Sequence, residues 1–108
     1  MRFEECLDKG LIKKDPYASE RVESSLMIAE RFLRSSNRNL EINEYEIAEM
    51  AAYNSAFHAA RALLFAKGYT ERSHFCLGVA LRGLYGGKIL DLLKIFDKIR
   101  LSRHNVQY

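Results

Sequence analysis

Apolar residues recur every three or four positions along most of this chain of 108 residues, and nowhere do they alternate strictly with polar ones. That periodicity predicts an all-α protein, an up-and-down bundle of four to five helices. The first helix covers about Phe3 to Lys9, with Phe3, Cys6 and Leu7 on one side and Gly10 as its stop. Asp15 and Pro16 open a second helix that runs to about Ser35, since a proline at the first helical position gives up only an N–H that has no helical partner. Its apolar stripe is Val22, Leu26, Ala29 and Leu33, widened by Phe32, and that face is expected to meet the core.

The stretch SSNRNLEIN, residues 35 to 43, reads as the longest connection. A third helix follows from about Glu44 to Lys67, closed by Gly68, and its sequence is apolar nearly all round. It should be the most buried element, with Ala51, Ala52, Ala56, Ala59, Ala60 and Ala62 thinning its surface for close neighbours. Ile47, Met50, Tyr53, Phe57, Leu63, Leu64 and Phe65 fill the gaps between them. The fourth helix spans about Arg72 to Tyr85 on Phe75, Leu77, Val79, Leu81 and Leu84 and ends at Gly86 and Gly87. Gly78 and Gly83 inside it each cost about 1 kcal/mol relative to alanine, which close backbone approach would explain. A fifth helix starts near Lys88 and reaches the chain end, where Ile89, Leu92, Phe96, Ile99, Arg103 and Val106 make one seam. Its last residues, NVQY, hold no capping glycine, so it either frays at Tyr108 or continues beyond it.

Composition narrows the class. With 48% hydrophobic and 29% charged residues, residues 1–108 suit one soluble helical domain with a single core. No apolar run approaches the roughly 20 residues a membrane span needs, and the N-terminus reads as no signal peptide, so a cytoplasmic protein is expected. Cys6 and Cys76 stand alone without metal-ligand spacing and are expected to be buried free thiols; neither metal nor cofactor is implied.

Charge is divided unevenly. Residues 1–49 hold eight Lys/Arg against eleven Asp/Glu and residues 50–108 hold nine against three, so the halves carry −3 and +6. The second half is the expected face for an anion, whether nucleic acid, nucleotide or acidic protein. The alternative is that the two halves, docked as helices, balance each other.

Two polar lines interrupt the apolar faces. On the third helix Asn54, His58 and Arg61 follow at spacings of four and three, and buried polar groups of this kind need partners. A loop carbonyl, or a carboxylate such as Glu44 or Glu46, would serve His58 and Arg61 structurally. On the fifth helix Arg103 takes a seam position, while Leu93, Asp97, Arg100, His104 and Tyr108 run beside it.

The run AAYNSAFHAARALLFAKGYTERSH, followed by a chain end reading RLSRHNVQY, resembles the HEPN family, and within it the small stand-alone archaeal and bacterial members. The resemblance extends from about Ala18 onward. It implies a bundle of four or five helices that commonly forms a homodimer. Many HEPN proteins are metal-independent ribonucleases, often toxins paired with a small nucleotidyltransferase, with a signature of Arg, four to six residues, then His on the last core helix. Here Arg100 is followed by His104 after three residues, and Arg103 is followed five positions later by Tyr108 rather than a histidine. A tyrosine, with an ordinary pKa near 10, is a poor general base at neutral pH.

Two functions follow. The first is a homodimeric binding module for RNA, a nucleotide or a nucleotidyltransferase partner, one half of a toxin–antitoxin pair, binding through Arg103, Asn105, Tyr108, His58, Arg61 and Lys98. The alternative is a metal-independent ribonuclease in which His104 takes the 2′-hydroxyl proton and Arg100 and Arg103 neutralise the scissile phosphate.

Overall fold

The computed structural model describes residues 1–89 and Lys94. Described elements run α1 (Phe3–Asp8), β1 (Ile12–Lys14), a 3-10 turn (Ala18–Arg21), α2 (Val22–Glu41), α3 (Tyr45–Ala66), β2 (Tyr69–Glu71), α4 (His74–Tyr85) and a second 3-10 turn (Gly86–Ile89). The molecule is mostly helical, as the periodicity predicts. Apart from Lys88 and Ile89, which fall in the second 3-10 turn, and Lys94, the expected fifth helix lies outside the described residues, including its seam positions Leu92, Phe96, Ile99, Arg103 and Val106.

The long pair α2 and α3 is joined by serine hydroxyls as well as by apolar contact. Ser25 donates to the His58 carbonyl at 2.7 Å, Ser55 to the Ala29 carbonyl at 2.7 Å and Ser36 to the Ala48 carbonyl at 2.8 Å. As the α2 position rises from 25 to 36, its partner falls from 58 to 48, so the helices are antiparallel. Ser25, Ala29 and Ser36 are the buried residues of α2, and side chains this small let the two backbones approach closely. The expected leucine stripe is therefore corrected. Leu26 and Leu33 are 44% and 52% exposed, and only Ala29 of that stripe is buried.

The second helix also begins and ends later than its sequence suggests. Asp15 accepts the Tyr17 N–H at 2.9 Å, making a side-chain turn at Pro16, and one 3-10 turn intervenes before Val22. At the other end SSNRNL is helix, not connection. Asn39 Nδ2 donates to the Ser35 carbonyl at 2.7 Å and Ser36 bonds across to α3, so polar groups that would favour a loop are satisfied within the helical pair. The turn is left to residues 42–44, where Asn43 takes φ 62, a left-handed conformation asparagine tolerates.

The core sits at the base of this hairpin. Cys6, Ile12, Leu64, Cys76, Leu77 and Leu81 are at most 1% exposed and pack with Ala60 and Ala80. Cys6 and Cys76 are not free thiols: they form a disulfide across 70 residues with Cα atoms 5.9 Å apart, fixing α1 to α4. Both were expected to be buried, and burial is what brings them together.

A two-stranded antiparallel sheet, Ile12 opposite Glu71 and Lys14 opposite Tyr69, corrects the absence of strands. Three residues per strand are too few to register as alternation. Gly68, at φ +87, turns the chain from α3 into β2. Within α4, a Cβ on Gly83 would stand 3.2 Å from the Phe3 side chain, so a neighbour's close approach holds there, whereas Gly78 has nothing within 4 Å and needs no such account. Phe75, one of the apolar residues of α4, is 54% exposed at its start. α3 does supply seven buried residues, yet Ile47 and Met50 near its start are exposed.

Candidate nucleic-acid interface

Asn54, His58 and Arg61 occupy one side of α3 because spacings of four and three return to the same face of a helix. Phe57 stands beside them and gathers the polar groups. Its ring centroid is 5.3 Å from His58 and 4.2 Å from His74, and the Arg61 guanidinium carbon lies 5.6 Å above it.

His58 is held as an aromatic, not as a cation. Its ring stacks on Phe32 of α2 at 5.8 Å with planes 8° apart, and its buried Nδ1 has no hydrogen-bond partner. Burial first and the Arg61 charge second lower its pKa below the ordinary 6.5. At neutral pH the imidazole is therefore uncharged.

Arg61 has a structural partner. Its Nε lies 2.9 Å from Glu71 Oε1, but out of line for a hydrogen bond, so the pair is held mainly by charge. The carboxylate comes from β2 and is almost fully buried. Burial raises the Glu71 pKa, opposed by Arg61, by a backbone hydrogen bond and by Arg21. The Arg61 guanidinium also lies 5.0 Å over Phe65, with Arg21 5.7 Å from the same ring and paired to Asp15 at 3.1 Å. Glu44 and Glu46 are not the partners, because they lie at the opposite end of α3.

His74 went unrecognised in the sequence as part of this group. It opens α4, where the Ser73 side chain caps the helix by accepting the Cys76 N–H at 3.1 Å. Its Nδ1 shares a 2.8 Å hydrogen bond with the hydroxyl of Tyr53, one turn before Phe57 on α3. The only sequence signal was its place in TERSH just after Gly68 and β2.

Of the sequence-derived site residues, the structure therefore places His58 and Arg61 together around Phe57. Lys98, Arg100, Arg103, His104, Asn105 and Tyr108 lie outside the described residues. Among the described residues no group of three or more His, Cys, Asp or Glu could hold a metal ion. An aromatic ring flanked by a guanidinium and two imidazoles has the chemistry to stack a base and steady an adjacent phosphate.

A family model for the HEPN domain matches residues 22–108, from the start of α2 to the last residue. No curated protein and no solved structure matches the chain.

Proposed function

Because the chain belongs to the HEPN domain family, whose members are linked to nucleotide- and RNA-related functions and to toxin–antitoxin systems, we propose that it is a homodimeric binding module for RNA or a nucleotide. A small nucleotidyltransferase is the protein partner this reading names, as the other half of a toxin–antitoxin pair. The observation that carries the nucleic-acid reading is Phe57 with Arg61, His58 and His74 arranged around its ring. The C-terminal residues Lys98, Arg100, Arg103, His104, Asn105 and Tyr108 extend the site in this proposal. Dimerisation is supported by a different feature. HEPN domains often dimerise, and Leu26, Leu33 and Leu40 lie seven residues apart on α2 with roughly half of each surface in solvent.

The test combines light scattering, thermal melting, RNA binding and RNA turnover for the wild type and for Arg61→Gln, Arg103→Ala and His104→Ala. A dimer that binds RNA at low salt, with binding lost in Arg103→Ala and melting unchanged, supports the module. Turnover that disappears in His104→Ala would make the protein a ribonuclease instead. A monomer that binds neither RNA nor nucleotide at low salt refutes the proposal.

A further inference from the structure

We infer that α2 carries a track for the phosphate backbone of single-stranded RNA, formed by Arg31, Arg34 and Arg38. The inference rests on the RNA reading above and adds a surface in the half of the chain that is net acidic. The three arginines follow at spacings of three and four, so they share one face of α2, and all three are exposed. At 1.5 Å of rise per residue the outer two are about 10 Å apart along the axis.

Like charges at these spacings repel and weaken a helix, and among the described residues no ion pair to the row offsets them. Arg2, Arg21 and Arg61 pair with carboxylates, whereas among the described residues no ion pair involves Arg31, Arg34 or Arg38. Glu23, Glu30 and Glu41 lie on the same helix as the arginine row, yet none forms an ion pair with it. The guanidinium forks are thus available for bidentate contact with phosphate oxygens.

Beside the row lies a groove of about 340 Å³, lined by Ser24, Met27, Ile28, Arg31 and Arg34. Met27 and Ile28 give it an apolar patch against which a base can lie while Arg31 and Arg34 hold the flanking phosphates. A purely acidic peptide would use the charges but not this patch, whereas single-stranded RNA supplies phosphates and base faces in regular succession and is the favoured occupant. The row faces away from the side of α2 that meets α3, where Ser25, Ala29 and Ser36 are buried, so the track is a surface separate from the α3 site.

The experiment follows the fluorescence anisotropy of a labelled short single-stranded RNA from low to moderate salt. It compares the wild type, the triple variant Arg31→Gln/Arg34→Gln/Arg38→Gln, and a control, Lys13→Gln/Lys14→Gln, on the exposed lysines of β1. Losing three single-strand phosphate contacts at about 0.7 each should lower the slope of log affinity against log salt by about two units and weaken low-salt binding at least roughly tenfold. Melting of the triple variant should stay at or slightly above the wild-type value, and binding by the lysine control should stay at the wild-type value. A triple variant with wild-type affinity and slope overturns the track and leaves the RNA reading intact. A wild type that binds no RNA overturns the RNA reading, and the track with it. If polyglutamate binds instead and the triple variant loses it, the row is a protein-docking surface and the RNA assignment is wrong.

Discussion

Breaking the Cys6–Cys76 disulfide should remove a large part of the stability of this protein. The bond closes a loop spanning 70 residues. In the chain-entropy account a loop of that length restricts the unfolded chain by about 15 cal/mol/K, which is about 4 kcal/mol at 25 °C. Against a total of about 5 to 15 kcal/mol for a domain, that is enough to shift the balance. The structure adds a reason for the bond to resist reduction in the folded state, since both cysteines are 0% exposed. Reduction should therefore need unfolding first. Guanidinium unfolding followed by circular dichroism would compare the oxidised protein, the same protein refolded in dithiothreitol, and Cys6→Ala/Cys76→Ala. The last two should each lose about 4 kcal/mol, equivalent to a fall in melting temperature of more than about 15 °C. Two titratable thiols in the denatured, unreduced protein would refute the reasoning. So would unfolding curves that coincide with and without dithiothreitol.

Ser36→Leu should destabilise by about 2 kcal/mol, because a bulky side chain must fit where a buried hydroxyl meets the Ala48 carbonyl at 2.8 Å; a variant as stable as the wild type would show that small residues do not set the α2–α3 spacing. The His58 imidazole should titrate below 6.5 by NMR, because burial lowers its folded-state pKa. The unfolded chain then binds more protons as pH drops below 6.5, so the wild type should lose stability there relative to His58→Gln. A midpoint at or above 6.5 would contradict the environment assigned to His58.

Much of the fold was legible because helices write their faces at a fixed period. α3 follows its expected limits to within a residue, Tyr45–Ala66, since a long apolar segment between an acidic start and a glycine has few alternatives. The stop at Gly86 and the burial of both cysteines follow from local chemistry of the same kind. Part of the candidate site was also readable. The spacing from Asn54 to Arg61 marked one polar face of α3 before any partner was known.

What the sequence left open were choices between surfaces. On α2 a leucine stripe and a serine face compete for the core, and hydropathy favours the leucines. The serines win because their hydroxyls reach carbonyls on α3 and their size lets the helices close together, a benefit that exists only once both helices are in place. SSNRNL stays helical for the same reason. Arg61 illustrates the limit in the site itself: Glu71 is ten residues away on a strand too short to leave a pattern, while Glu44 and Glu46 on or beside α3 looked equally available. Periodicity along the chain fixes which residues share a face, but the partner of a face depends on contacts between segments distant in sequence. Only the tertiary structure decided that His74 would stand over Phe57 and that two isolated cysteines would meet.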